Sequence, residues 1–387
     1  MIIRECKIYL YDKTIIKEGL IYLSQFIKDK QDAFSCIIQR GWVHGNHIKL
    51  IYSSEDDNKI LMFENNLMKY LNRNIENWKK EKFHIDFKIL EEMAKKIAII
   101  ENYKGEFLPL RDQFYIEFND FEDKSDIRKN TYMREEYLKT KFYINTLEYY
   151  YDLSKSNRTI FIIKLMILFG DYDNKLILNR EGTIAKSYFS FKSHYEGFKA
   201  QLNRYPKEKR IKLIERIDLL SKLEENFITD KFDCFLLSCR NNLINYEYKD
   251  KEILMNFKSI VIELIDIYES LLSENKILFN EEHSLQQFII NNKKDLSDYH
   301  KNISKKFDFE FFSSNEFLAG RMLVNWFYSM LPLFSISPLE KHRLCNMLCQ
   351  GIEKNLGKND TELINDFSTG MKGYDYDALW KKISRYR

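Results

Sequence analysis

One short polar segment carries most of the side chains in this chain that suit proton transfer. Residues Ser187–Phe198 read S-Y-F-S-F-K-S-H-Y-E-G-F. Hydroxyl, imidazole, phenol, ammonium and carboxylate groups can each donate, accept or carry a proton, so the segment predicts general acid–base catalysis. The candidate catalytic residues are Ser190, Lys192, Ser193, His194 and Tyr195, and Glu196 beside them is a candidate substrate-binding residue.

The position of this segment along the chain suggests how it is held. It precedes a helical pattern over Tyr195–Leu223, so it is predicted to lie at a strand-to-helix junction. An alternative stays open at two positions. Ser193 and Glu196 have the spacing of a capping box, in which they would begin the helix and take no part in chemistry.

The composition argues for a folded, helix-rich protein. The 387 residues suffice for one large domain or two, and the scarcity of proline (4) and glycine (12) argues against a turn-rich all-β fold. The 61 basic and 58 acidic side chains nearly balance, so a general polyanion-binding role is not indicated. Without a membrane-spanning apolar run or a signal-peptide layout, the sequence predicts a cytoplasmic location.

Patterns that could bind a metal are weak. Two pairs of cysteines are close in sequence, Cys234/Cys239 and Cys345/Cys349, and neither pair is C-x-x-C. Buried thiols on an apolar stripe are favoured over half a metal site. Two histidines near two aspartates, at His44, His47, Asp56 and Asp57, lack a spacing that identifies a site. We therefore expect no metal and no cofactor.

Alternating apolar residues predict a sheet in the first part of the chain. The predicted strands are Ile2–Tyr11, Phe34–Arg40, His47–Ser53, Phe107–Asp123 and Phe142–Tyr151. Helices are predicted over Thr14–Lys30, Ile60–Lys80 and Lys88–Tyr103, and the charged run Glu122–Lys129 is predicted to be a solvated loop.

Helical periodicity dominates from Thr159 onward. The predicted helices are Thr159–Phe169, Tyr195–Leu223, Phe232–Ile244, Lys251–Leu272, Glu282–Lys294, Glu316–Leu331 and Pro338–Leu356. We predict an α+β fold with a mixed sheet, formed mainly by the N-terminal part and around Lys175–Ser190, and a predominantly helical C-terminal half. Residues 1–387 are predicted to form one catalytic domain that changes character near residue 155.

Three windows together resemble one family of peptide-modifying enzymes. Ile37–Tyr52, I-I-Q-R-G-W-V-H-G-N-H-I-K-L-I-Y, is similar to the F-F-I-R-Y-W-x-G-G-P-H-L-R-L-R pattern of lantibiotic dehydratase elimination domains. Ser190–Phe198 is similar to their S-F-R-S-H-A-E-G-F. Asn325–Cys345, N-W-F-Y-S-M-L-P-L-F-S-I-S-P-L-E-K-H-R-L-C, looks most like the stand-alone thiopeptide pyridine synthases. The order of the windows extends the resemblance over most of the chain.

Departures from the pattern distinguish two branches of this family. The eliminating members carry two arginines in the first window, which are thought to grip a glutamyl carboxylate, and Lys49 and Ile51 stand there in this chain. Lys192 replaces a further arginine. Lysine is a point charge and isoleucine carries none, so the resemblance favours pyridine synthesis over glutamate elimination.

The resemblance implies an enzyme that joins two dehydroalanines of a ribosomally made peptide. This formal aza-[4+2] cycloaddition, with loss of water and of the leader peptide, would give a pyridine and close a macrocycle. No cofactor is implied. The implied partner is a linear precursor that bears a leader, azoles and dehydroalanines; no nucleic acid or membrane is expected, and a homodimer is left open.

The resemblance also implies roles for particular residues. Lys192 would polarise an amide oxygen, while His194 or Tyr195 would move the proton. The substrate-binding residues would be Trp42, His47, Lys49, Glu196 and His342, and residues 1–155 would bind the leader with Lys28, Lys30 and Arg40. Two alternatives remain: the elimination subunit of a split dehydratase, and a non-catalytic scaffold that binds the precursor.

Overall fold

The computed structural model describes most of the chain. It covers residues 2–28, 30, 34–81, 83–100, 103–121, 126–169, 180–202, 206–208, 210–219, 248–274, 297–306 and 314–365. The predicted helices Phe232–Ile244 and Glu282–Lys294 and the pair Cys234/Cys239 lie outside these residues. The chain divides into two compact units: unit 1 is Met1–Glu148 with Met330–Ser335, and unit 2 is Tyr149–Ser329 with Ile336–Arg387.

The sheet belongs to unit 1 and confirms the predicted α+β class. Its strands are β1 (Ile2–Tyr9), β2 (Ser35–Gly41), β3 (His47–Ser54) and β4 (Ile116–Asp120), in the order β2-β3-β1-β4. All pairings of these strands are antiparallel, so the described sheet is not mixed. A tight turn joins β2 to β3, and such a hairpin requires the antiparallel direction.

Three of the predicted strands are confirmed, and two aromatic segments behave differently. In Phe107–Asp123 only β4 forms, in its second half. The strand predicted over Phe142–Tyr151 is wrong, because that segment lies in α4 (Asp126–Asp152). Its buried residues Tyr143, Leu147 and Tyr150 recur every three or four positions, which is the period of a helix. The loop predicted over Glu122–Lys129 is helical from Asp126.

The helices of unit 1 agree with the apolar periodicity. They are α1 (Lys13–Lys28), α2 (Asp57–Trp78) and α3 (Phe87–Ile100), together with α4 as far as Glu148. One face of the sheet buries Cys6, Ile8, Leu50 and Tyr52. This face and the buried stripes of α1 and α2 form the core of the unit.

Unit 2 is helical where it is described, as predicted for the second half of the chain. Its helices are α5 (Lys155–Leu168), α6 (Arg180–Gln201), α7 (Tyr248–Ser273), α8 (Asp298–Lys306), α9 (Asn315–Met330, whose last residue belongs to unit 1) and α10 (Pro338–Leu356). Residues 210–219 are also helical. Among the described helices, none is both long and apolar enough to cross a membrane.

Helix α6 corrects the predicted setting of the polar segment. The prediction of a strand-to-helix junction is wrong, because α6 starts at Arg180 and Ser187–Phe198 lies inside it. A strand reaching Ser190 is excluded for the same reason. The capping-box interpretation is also wrong, since Ser193 and Glu196 lie far from the first turn. The predicted helix Tyr195–Leu223 ends instead at Gln201, and a second helical segment follows over 210–219.

Candidate active site on helix α6

The helix sorts the candidate catalytic residues onto two faces. Ser190, Ser193, His194 and Gly197 follow the spacing i, i+3, i+4 and i+7, which places them on one side of α6. All four are half-buried. Lys192 and Tyr195 fall on the opposite side of the helix, so the candidates do not all face the same surroundings.

Ser193 is hydrogen-bonded to a histidine that the sequence analysis did not select. Its Oγ lies 3.0 Å from Nε2 of His300 on α8, and Oγ of Ser297 lies 2.8 Å from the other ring nitrogen. Burial lowers the pKa of His300, and the carboxylate of Glu196 only partly opposes this. The result is a neutral imidazole between two hydroxyl groups.

His194 lies edge-on to the ring of Tyr328 on α9, with ring centroids 4.5 Å apart and an interplanar angle of 87°. Burial, followed by the positive charges of Lys341 and Arg321, lowers the pKa of His194 to about 3. The imidazole is therefore uncharged near neutral pH, and it can accept a proton without first losing one.

Lys341 lies against the same aromatic ring. Its Nζ is 4.4 Å from the ring centroid of Tyr328, within the range of a cation–π contact. Within the described ranges no carboxylate lies at ion-pair distance from it, and burial lowers its pKa. The Tyr328 hydroxyl is 3.3 Å from Sγ of Cys345. A half-buried ammonium group without a carboxylate nearby is suited to polarise a carbonyl oxygen.

His342, the next residue on α10, stacks on Phe198 of α6, with ring centroids 4.1 Å apart. Burial, followed by the charge of Lys341, lowers the pKa of His342 to about 3. Its Nδ1 atom is buried and has no hydrogen-bond partner among the described residues. An unsatisfied buried ring nitrogen is costly unless a ligand or water completes it.

The opposite side of α6 is engaged in internal contacts. Lys192 Nζ lies 2.8 Å from Glu353, and the Tyr188 hydroxyl donates to the same carboxylate oxygen at 2.6 Å. Burial opposes the charge on Lys192, but Glu353 outweighs it and raises the pKa of the ammonium group. This lysine is therefore held as the partner of a carboxylate.

Tyr195 and Glu196 also have partners within unit 2. The Tyr195 hydroxyl donates to Asp218 at 3.3 Å, and Asn346 donates to the same oxygen at 3.2 Å. Burial raises the pKa of Tyr195, and Asp218 adds to this effect. Glu196 lies 2.7 Å from Lys199, one turn along the helix.

The remaining substrate-binding candidates lie in unit 1. His47 is buried, and its Nδ1 donates to the Gly45 carbonyl at 2.9 Å. Lys49 lies 3.9 Å from Glu5 and above the ring of Phe121. Trp42 makes aromatic contacts of its own, edge-to-face with Tyr103 and tilted against Phe107.

The leader-binding candidates have separate surroundings. Lys28 forms an exposed ion pair with Glu148 at 3.8 Å, and Lys30 lies over the ring of Phe26. Arg40 reaches the carbonyl of Pro332 at 3.4 Å, within unit 1. These contacts do not by themselves define one basic surface.

The predicted burial of the cysteines is confirmed for the pair that the structure describes. Cys345 and Cys349 are buried free thiols, and burial raises the pKa of Cys345 to about 11. Across the described part of the chain, no three histidine, cysteine or acidic side chains lie close enough together to hold a metal ion.

Three residues of this site were missed by the sequence analysis. Tyr328 and Lys341 lie inside the third window of the family resemblance, where no local pattern marks them as site residues. His300 is 107 residues from Ser193, and its neighbours Tyr299 and Lys301 follow no motif. Only the packing of α8 against α6 reveals it.

Comparison with known proteins shows a similarity of fold to solved structures. No protein-family model matches the chain, and no curated protein matches it. The solved structure of the pyridine synthase TbtD from thiomuracin biosynthesis matches with a TM-score of 0.61 and 13% identity, over 92% of this chain and 99% of that one. The crystal structure of TsrL matches with a TM-score of 0.56 and 12% identity, over 95% and 98%. The resemblance to pyridine synthases is confirmed as a shared fold.

Proposed function

We propose that this chain is a thiopeptide-type pyridine synthase. One observation carries the proposal: an uncharged His194 and a Lys341 that no described carboxylate approaches lie against one tyrosine ring, in a fold shared with a pyridine synthase. The substrate is a ribosomally made precursor that carries two dehydroalanines. The enzyme joins them in a formal aza-[4+2] cycloaddition and releases water and the leader peptide.

The first chemical requirement is an imidic tautomer of a substrate amide. The neutral imidazole of His194 takes the proton from the amide nitrogen while the ammonium group of Lys341 polarises the amide oxygen and gives it a proton. The imidazolium of His194 then returns a proton to Lys341, so the net change is the move of one proton from nitrogen to oxygen. We assign the polarising role to Lys341 in preference to Lys192, because Glu353 already neutralises Lys192. Holding the two dehydroalanines in contact supplies much of the remaining acceleration.

Glutamate elimination is the main catalytic alternative, and unit 1 offers it little support. Ile51 is fully buried, and the ammonium group of Lys49 lies near Glu5. Neither side chain can form the bidentate contact that an arginine makes with a glutamyl carboxylate.

We also propose that unit 1 binds the leader peptide at the edge of the sheet. The edge of β2 is partly engaged, because the Ile38 backbone amide donates to the Thr140 hydroxyl of α4. In the described sheet, β4 pairs only with β1, so its outer edge is the better position for strand addition. Leader affinity should persist when Lys28, Lys30 and Arg40 are changed to alanine. A loss of binding in that triple variant would support a basic surface instead.

Turnover assays on three peptides separate the alternatives. The purified chain should convert an azole-bearing peptide with two dehydroalanines into a pyridine macrocycle, detected as loss of water and leader by mass spectrometry. It should release no glutamate from a glutamylated serine peptide, since a lost charge-assisted contact slows a reaction roughly tens- to hundredfold. Efficient glutamate release would overturn the proposal, and binding without turnover of any peptide would favour the scaffold.

A further inference from the structure

We infer that Ser193, His300 and Ser297 form a proton relay, and that Gly197 leaves room beside it for the peptide. The inference rests on the proposed function and adds to it a second proton-transfer group, on α6 and α8. In this relay Ser193 meets the substrate and is the catalytic residue. His300 acts through Ser193, and Ser297 orients His300.

The tautomer of His300 with its proton on Nδ1 gives the relay its direction. The backbone amide of His300 donates to Ser297 Oγ at 3.3 Å, and His300 Nδ1 lies 2.8 Å from the same oxygen. With the proton on Nδ1, Ser297 accepts both hydrogen bonds, and Nε2 presents its lone pair to Ser193 at 3.0 Å. This arrangement matches the nucleophile, base and orienting group of hydrolytic sites.

Proton transfer through these groups is balanced. Ser193 Oγ takes a proton from the substrate as its own hydroxyl proton passes to His300 Nε2. The reverse step returns the proton to a departing oxygen or nitrogen. Because burial keeps His300 neutral, its lone pair is available at neutral pH. Glu196 on α6 stabilises the imidazolium that forms in between.

Gly197 provides a separate observation. It lies inside α6, one turn after Ser193, and glycine is among the least favourable residues in a helix interior. Neither its backbone nor its surroundings require glycine: a Cβ would meet nothing nearer than His300 Cε1 at 3.9 Å, an ordinary contact. Folding alone therefore favours alanine. A need for open space beside the imidazole explains the glycine.

The Gly197→Ala variant tests this trade-off. It should melt about 1–2 °C higher, because alanine favours the helix. Its kcat/KM for the dehydroalanine peptide should fall about tenfold, because the added methyl group occupies the substrate space. A Gly197→Ala enzyme with unchanged kcat/KM would overturn the role assigned to the glycine.

A test without the peptide distinguishes failure of the relay from failure of the proposed function. Diisopropyl fluorophosphate should modify Ser193: Oγ bonds to phosphorus, fluoride leaves, and the proton passes to His300. Intact-mass kinetics should show the reaction at least about tenfold slower in His300→Gln and absent in Ser193→Ala, while Ser304→Ala on the same helix reacts like wild type. Equal rates in wild type and His300→Gln, or no reaction of Ser193, would overturn the relay whatever the enzyme makes.

Turnover provides the second arm. His300→Ala should lower kcat about 10²-fold with KM within a few-fold, and added imidazole should restore part of the rate. A fall in kcat that tracks a lower melting temperature and resists imidazole would show that His300 is only structural. If wild type makes no macrocycle, the proposed function fails, and the labelling result alone decides the relay.

Discussion

Lys341 influences the protonation of His194, and both side chains lie against the ring of Tyr328. Burial and the ammonium charge of Lys341 together favour the neutral imidazole. Under the proposed function Lys341 is the polarising cation and His194 the base, and such a pair can promote amide tautomerisation.

His194→Gln and Tyr195→Phe form a matched pair. The glutamine variant should lower turnover roughly 10²-fold with peptide affinity within a few-fold, because a general base acts in the transition state. The Tyr195 hydroxyl bonds to Asp218, so Tyr195→Phe should cost about 1 kcal/mol of stability through a lost hydrogen bond. Single-turnover kinetics and thermal unfolding measure both effects. Full turnover in the His194 variant would exclude it as the base.

Lys341→Met tests the polarising role. Removing the charge should lower kcat at least about tenfold and should raise the pKa values of His194 and His342, which Lys341 lowers. Two-dimensional NMR of the imidazole rings during a pH titration reports the second effect. Lys301→Met, at an exposed ion pair on α8, is the control and should match wild type. Unchanged histidine titration in Lys341→Met would contradict the electrostatic coupling.

At the scale of single residues, the sequence could identify donors and acceptors but not their partners. Ser193 and His194 stood out because titratable side chains crowd around them. His300 and Glu353 could not be found in this way, since each meets α6 from more than 100 positions away. Such contacts depend on how helices pack, and local patterns do not encode them.

At the scale of elements, two serines with capping-box spacing behave differently, and only one of them begins a helix. Helix α10 begins at Pro338 as predicted, with the Ser337 side chain accepting from the Glu340 amide at 3.2 Å. Ser193 and Glu196 show the same type of spacing inside α6, where no free amide groups need a cap. Capping-box spacing indicates a helix start only where a helix begins. Ser193 and Glu196 lie in the middle of α6, which the full length of the helix shows and the local spacing does not.

Ser337→Ala measures the contribution of the true cap. It should lower the free energy of unfolding by about 1 kcal/mol, because the side chain caps the first turn of α10. Turnover should fall far less than in Lys341→Met, because the charge of Lys341 in that turn is kept. Chemical denaturation with parallel peptide assays separates the two effects. A large loss of activity at unchanged stability would mean that this helix end touches substrate.

The sheet and the aromatic segments show the limits of periodicity. Strands β1 to β3 were predicted because β-branched residues alternate there, and their antiparallel pairing follows from the short connection. The segment Phe142–Tyr151 was mistaken for a strand because aromatic residues favour strands in general. Its burial pattern, which no sequence shows directly, follows the helical period.

At the scale of the whole molecule, buried neutral histidines should set the response to acid. The pKa values of His47, His194 and His342 are lowered to about 4, 3 and 3, chiefly by burial, whereas unfolded histidine titrates near 6.5. Below about pH 6.5 the unfolded chain therefore binds more protons than the folded one. The stability that the folded state has above that pH is lost as the pH falls toward 4.

Melting temperatures between pH 8 and pH 4.5 measure this loss, which approaches about 1.4 kcal/mol per pH unit for each histidine that is protonated in the unfolded chain and neutral in the folded one. His342→Phe keeps an aromatic ring against Phe198 and removes one titrating group, so its melting temperature should depend less on pH. A wild-type profile that stays flat down to pH 4.5 would contradict the assigned protonation states.

The short segment Met330–Ser335 belongs to unit 1 although it lies far along the chain from the rest of that unit, and this limits where the chain can be cut or recombined. It buries Leu331, Leu333 and Phe334, and the ring of Phe334 lies against Phe142 and Tyr143 of unit 1. A gene cut after Glu148 would yield a fragment without these three side chains, in which Phe142 and Tyr143 lose their contacts with Phe334. Unit 1 therefore cannot be exchanged between relatives by a single recombination, and shuffled chimeras with one crossover near residue 148 should aggregate unless they keep a compatible Phe334 segment.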